Sequence, residues 1–222
     1  MEPVARFGMW VFLVTDAMSF GALLCVYAVE RARAEAWPDL TARLNLPLAA
    51  DATLLLVASS VTLARKKRIL TIALGVAFLG AQAIEYATMA RHGVGFGADV
   101  AASIFFATTG WHGLHVVAGV VALACVRRGD VAAGSPALFW QFVDAVWIVL
   151  FTVFYLAPAV PTPAAVALGV AAAAGFAAVV FFAMNLRREP RAVKVVFMVP
   201  LALPIAFIVA LVADAVGRGV RP

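Results

Sequence analysis

Seven stretches of this chain are too long and too apolar to belong to anything but helices that cross a membrane. A spanning helix needs about 20 mostly apolar residues to cross about 30 Å of hydrocarbon. Runs of that kind extend from Phe7 to Val29, Leu48 to Ala64, Ile69 to Ala90, Ala101 to Val126, Ala137 to Ala157, Ala164 to Leu186 and Val195 to Val216. Backbone groups in lipid must be satisfied internally, so apolar runs of this length predict helices. The composition agrees, since 65% of the residues are hydrophobic, 13% are charged and the mean hydropathy is +1.01, far from the values of soluble domains. The expectation is an all-α polytopic membrane helix bundle with seven transmembrane helices. The proline-rich "APAVPTP" (157 to 163) discourages a continuous helix and divides a five-helix core, residues 1–157, from an additional C-terminal transmembrane helix pair, residues 158–222.

Several function classes drop out. Two cysteines, Cys25 and Cys125, make no disulfide framework and read as core thiols. The net charge of +5 comes from basic residues gathered at span ends, where they set topology, so nucleic acid is not an expected partner. The first apolar run is too long for a cleavable signal peptide and lacks a small-residue cleavage site, so it reads as a first span. The sequence contains no Gly-rich phosphate loop, nucleophile elbow or CxxC site.

With seven spans the termini lie on opposite sides. Arg6, the "RKKR" turn at 65 to 68, Arg127, Arg128, Arg187, Arg188, Arg191 and Lys194 share the amino-terminal side, which is 11 of the 17 basic residues. The positive-inside rule then predicts a cytoplasmic amino terminus and an outside carboxy terminus.

Ionisable residues inside spans cost roughly 2.5–3.5 kcal/mol on insertion scales, so they normally face protein, pair with one another or line a pathway. Among them are Asp16, Glu85 and Asp144, with two histidines, His112 and His115, in "ATTGWHGLHVVAGVVAL" (107 to 123). Estimated depths at about 1.5 Å per residue put Asp16 level with His112 and Asp144 near His115, which predicts those two pairings. The histidines lie at i and i+3 and share a face. The third, His92, lies far from both in depth, which disfavours a haem held by two histidines. The chain also lacks the Glu-x-x-His pairs of carboxylate-rich metal sites. Hydrogen-bonded packing, metal ligation and a proton path all remain open for His112 and His115, with packing the simplest. Gly110, Gly113 and Gly119 beside Ala118 favour close helix approach, and Trp111, Trp140 and Trp147 read as packing or interfacial aromatics.

Four motifs in order carry a resemblance: "GMWVFLVTDAMSFGALL" (8 to 24), "LPLAADATLLLVASSVTL" (46 to 63), "FLGAQAIEYA" (78 to 87) with "ATTGWHGLHVVAGVVAL", and "FWQFVDAVWIVLFTVFYL" (139 to 156). Over residues 7 to 157 the chain closely resembles subunit III of the haem-copper oxidases. The resemblance implies a non-catalytic subunit of a cytochrome c or quinol oxidase, or of a related nitric oxide reductase, in a bacterial cytoplasmic membrane. It implies subunit I, subunit II and a small subunit IV as partners, with haem and copper held by the catalytic partners and none by this chain. It also implies structural phospholipid in a cleft, support for proton uptake and a route for oxygen. On that basis Asp16 and Glu85 match the family's buried carboxylates, and His112 and His115 match its histidine pair in "HGLH". Asp144 and Trp147 match its "FVDxVW" segment, and Arg127 or Arg128 its lipid-headgroup contacts. The family typically has Glu where this chain has Asp16 and His where it has Gln141, and Gln141 cannot titrate near neutral pH. The two helices that precede this core in the long mitochondrial form have no counterpart here, while two spans follow the core. A proton-coupled transporter is the competing reading, but it calls for an inverted repeat or paired broken helices, and the sequence has neither.

Overall fold

The computed structural model describes residues 3–38, 40–125 and 135–156. Spans six and seven, the boundary at 157 to 163, Arg127 and Arg128 lie outside the described residues. Within them the chain is helical, with no strand: α1 (Pro3–Arg33), a 3-10 turn (Thr41–Arg43), α2 (Leu46–Ala64), α3 (Arg68–Arg91), α4 (Val100–Cys125) and α5 (Ser135–Phe151), which runs on into a π-helical turn (Thr152–Leu156). All five helices, α5 counted with its π turn, are long and apolar enough to cross a membrane. The ends of α2, α3 and α4 fall within two residues of the expected ones. α1 runs further at both ends and closes on Arg31 and Arg33, cations that suit the negative end of a helix dipole.

Local chemistry sets the turns. Asn45 caps α2 by accepting the Leu48 N–H (3.1 Å), and Pro47 stands in the first turn, where its missing N–H costs nothing. Between α2 and α3 the left-handed residue is Lys66 (φ 59°), and the Lys67 N–H closes the turn on the Thr62 carbonyl (2.9 Å). At the end of α3 the same role falls to Gly93 (φ 73°), with the Val94 N–H on the Met89 carbonyl (2.9 Å).

α5 is the hub. It packs against α1, α2 and α4, and α3 closes the circuit between α2 and α4. Of the α5 span 67% is buried, against 39% for α4, the next most buried. Trp140 shows how tightly the hub is held. Its indole is fully buried, donates from Nε1 to Ser59 Oγ on α2 (2.9 Å), and lies flush against Gly75 on α3 and Gly119 on α4. A Cβ at either glycine would stand 2.4 Å or 2.8 Å from the ring. Of the three α4 glycines expected to permit close approach, only Gly119 does so. Gly113 faces open space and Gly110 meets only the Tyr86 hydroxyl at 3.8 Å.

The cysteine expectation is corrected as well, because Cys25 and Cys125 are both exposed. The buried stripe of α1 is Leu13, Asp16, Phe20 and Tyr27 at helical spacing, and that of α4 ends at Leu123, so each thiol falls off its helix's inner face. At the end of the bundle that holds the α1–α2 and α3–α4 loops, Arg43 donates from Nη1 to Asp99 Oδ2 (2.5 Å), and Asp99 Oδ1 caps α4 by accepting the Ala102 N–H (2.7 Å). Burial alone would raise the Asp99 carboxyl, but the Ala102 N–H and the Arg43 guanidinium outweigh it and hold the group below the usual carboxylate range.

Candidate functional site

The buried acidic side chains and His115 find partners inside the bundle, though not in the expected pairs. Asp16 on α1 meets His115 on α4, with Oδ1 2.9 Å from Nε2, rather than His112. The depth estimate was one turn out. The two helix ends do not share one depth: at about 1.5 Å per residue, Asp16 lies about 20 Å from the start of α1 at Pro3 and its partner His115 about 15 Å from the end of α4 at Cys125, so counting from the ends mispairs them by one turn. The other nitrogen of His115, Nδ1, lies 2.7 Å from the Trp111 carbonyl oxygen. A carbonyl only accepts, so Nδ1 carries a proton, and Nε2 faces a carboxyl oxygen. The contact with Asp16 therefore needs a proton of its own, on the imidazole or on the carboxyl. The pair is closed in by the Phe20 ring, 5.2 Å from His115, and by Ser19, which donates to the Asp16 carbonyl (2.7 Å) and accepts from Trp111 Nε1 (3.2 Å).

Asp144 on α5 does not reach His115. Its Oδ2 accepts the Ser60 hydroxyl of α2, because this side of α5 faces α2. Trp147, one turn further along α5, donates from Nε1 to Thr53 Oγ1 (3.0 Å), and Trp140, one turn back, binds Ser59. Three hydroxyls of α2 thus meet three polar groups of α5. Gln141 on the same helix is only half-buried and stands apart from these bonds.

Glu85 on α3 is buried, and its two oxygens are held from two directions. Oε1 accepts the Asn45 N–H at the start of α2 (3.2 Å), and Oε2 accepts the Tyr155 hydroxyl (2.6 Å) from the π turn after α5. Tyr86, beside it, shares a hydrogen bond with Thr109 of α4 (2.6 Å). His112 is fully buried in an aromatic cage, with ring centroids of Trp147 at 5.2 Å, Phe78 at 5.8 Å and Phe20 at 6.3 Å. Neither of its nitrogens meets a protein partner among the described residues.

His112 and His115 therefore play different parts. The nitrogens of His115 are both engaged, and among the described residues no three His, Cys, Asp or Glu side chains gather where they could hold a metal. His92 caps the end of α3 at the surface, its Nδ1 2.8 Å from the Thr88 carbonyl.

Ser59, Ser60, Thr53, Asn45 and Tyr155 did not stand out in the sequence. The available signal was the spacing of hydroxyls in "ATLLLVASS". Thr53 and Ser60 lie seven residues apart on one face of a leucine-rich span, and hydroxyls in spans commonly bond across helices.

These five helices are also where the likeness to known proteins lies. The family model described as cytochrome c oxidase subunit III matches residues 2–158. The chain is 33% identical over 174 residues to the cytochrome c oxidase subunit 3 of Thermostichus vulcanus. It is 34% identical over 173 residues to a probable cytochrome c oxidase subunit 3 of Nocardia farcinica, and 35% identical over 175 residues to the subunit 3 of Corynebacterium diphtheriae. Each likeness covers 67% of this chain and 85% of the relative. A match of that extent, lying on the helices that bring Asp16 to His115 and Tyr155 to Glu85, places the chain in the cytochrome c oxidase subunit III family, as a multi-pass membrane protein and an accessory subunit of a haem-copper terminal oxidase.

Proposed function

We propose that this chain packs against subunit I of a cytochrome c oxidase, beside subunit II, in a bacterial cytoplasmic membrane with its amino terminus in the cytoplasm. Haem and copper reside in those partners. In this place the chain holds structural phospholipid between its helices, supports proton uptake by the catalytic subunit and offers dioxygen a way in. Arg127 and Arg128 take the lipid headgroups, since a guanidinium forks onto phosphate. Residues 158–222 form a C-terminal helix pair that stands in for a small subunit IV.

The observation that carries this reading is that the acidic groups at the family's positions are engaged within the bundle: Asp16 by His115, Glu85 by Tyr155 and Asn45, Asp144 by Ser60. Acidic groups held in this way suit a rigid supporting body with no reaction centre of its own. The test is an oxidase prepared from cells lacking this chain. Its initial rate of oxygen reduction with reduced cytochrome c remains measurable, while its lifetime in sustained turnover shortens and its bound phospholipid falls. A preparation that keeps its full lifetime and lipid refutes the supporting role, and one that oxidises quinol but not cytochrome c moves the chain to a quinol oxidase.

A further inference from the structure

Five buried side chains carry polar atoms with no protein hydrogen-bond partner among the described residues; Asp16 and Asp144 are each bonded through their other carboxyl oxygen, which leaves both ring nitrogens of His112, Oγ1 of Thr108 and Nε2 of Gln82. His112 and Thr108 are fully buried and Gln82 nearly so. These atoms belong to one place. His112 and Thr108 are one turn apart on the inner face of α4, and Gln82 is one turn on from Phe78 along α3. The two helices are antiparallel neighbours, tied by Phe78 against His112 (5.8 Å) and by Tyr86 bonded to Thr109 (2.6 Å). Phe78 against His112 sets the antiparallel register, so Gln82, one turn on along α3, comes opposite Thr108, one turn back along α4 from His112.

The chemistry of this place selects its occupant. An imidazole, a hydroxyl and a primary amide offer donors and acceptors together, and none of the three brings a fixed charge. That set matches a small neutral molecule able to donate and accept at once, and bare polar atoms in a membrane interior are disfavoured. We propose that the α3–α4 interface holds a buried hydration site, in which about one or two water molecules are bonded by His112, Thr108 and Gln82. Gln82 also stands beside the Tyr86 and Tyr155 hydroxyls, and Tyr155 donates to Glu85. The site joins His112, one turn along α4 from the Asp16–His115 pair, to the Tyr155–Glu85–Asn45 set. The bundle thereby acquires a hydrogen-bonded interior that the protein atoms alone leave broken.

The test uses the complex purified from its native membrane. Thr108→Val keeps the shape and removes only the hydroxyl, so its effect has opposite signs for a wet and a dry site. A hydroxyl that holds water makes the variant lose this chain from the complex at a lower temperature than the wild type. Combining it with Gln82→Leu then lowers that temperature by less than the sum of the two single shifts, because both residues share the same water. A raised temperature for Thr108→Val, or strictly additive shifts, overturns the proposal. A map of the wild-type complex that resolves ordered solvent decides the matter even where a variant does not assemble. The site predicts density within hydrogen-bonding distance of a His112 nitrogen and of Thr108 Oγ1. A dry contact there, or His112 nitrogens bonded to protein groups, overturns it.

Discussion

Gly75→Ala puts the packing of the hub to a quantitative test. The added Cβ would stand 2.4 Å from Cη2 and 3.1 Å from Cζ2 of Trp140, and 3.2 Å from Cγ2 of Val120. The indole has nowhere to retreat. Gly119 of α4 presses on its Cε3 edge, closely enough that a Cβ there would come within 2.8 Å, and Nε1 is tied to Ser59. Overpacking of this kind costs about 1–3 kcal/mol, and stretching the bond to Ser59 adds about 0.5–1.5 kcal/mol. Alanine returns about 0.5–1 kcal/mol through its better helix propensity, which leaves a net loss of about 0.5–4 kcal/mol. Gly80→Ala on the same helix is the control, because a Cβ there meets nothing within 4 Å and only the propensity gain of about 0.5–1 kcal/mol remains. Denaturant unfolding followed by indole fluorescence compares the two, and Gly75→Ala combined with Trp140→Phe recovers part of the loss. If Gly75→Ala is as stable as Gly80→Ala, the account of the hub is wrong.

Tyr155→Phe removes one of the two donors to a buried carboxyl and destabilises by about 1–3 kcal/mol, read as a lower unfolding midpoint, while Tyr27→Phe at the bundle rim costs less. Asp16→Leu leaves the His115 Nε2 without its partner and costs a similar amount, whereas Asp16→Asn, which keeps an acceptor oxygen, assembles normally and shortens only the turnover lifetime of the oxidase. An Asp16→Asn enzyme with wild-type lifetime removes the functional role of that carboxyl. Asp99 is held below its usual range, so the loop clamp to Arg43 is at full strength above the ordinary carboxylate pKa of about 3.9 and is lost as the pH falls through the lowered value. Arg43→Gln brings that loss to higher pH, measured as hydrogen-exchange protection of the Ala102 amide. An unchanged profile shows that Arg43 does not hold Asp99 down.

The five described helices were legible because apolar length is a blunt signal. A run such as Ala101 to Val126 has no other way to satisfy its backbone in lipid, and the charged "RKKR" turn marks an end that composition alone reveals. The pairings were harder to read. Asp16 meets His115 and not His112 because depth along two helices depends on where each begins and how far it runs past the hydrocarbon, and one turn of error changes the partner. Asp144 goes to Ser60 because the sequence does not say which neighbour each side of α5 faces. Tyr155 owes its reach to Glu85 to the π turn at Thr152–Leu156, and no periodicity in "TVFYL" announces that change of winding. The exposed thiols of Cys25 and Cys125 teach the same lesson, since residue type predicts burial in water far better than it does in a membrane, where lipid accepts an apolar side chain as readily as the core.

The most direct measurement is to purify the chain from its native membrane in mild detergent and record the reduced-minus-oxidised visible spectrum together with a mass-spectrometric list of the subunits present. An accessory subunit of a haem-copper terminal oxidase comes with haem bands and with the catalytic subunit in stoichiometric amount. A colourless preparation in which this chain stands alone, or beside partners that bear no haem, contradicts the account.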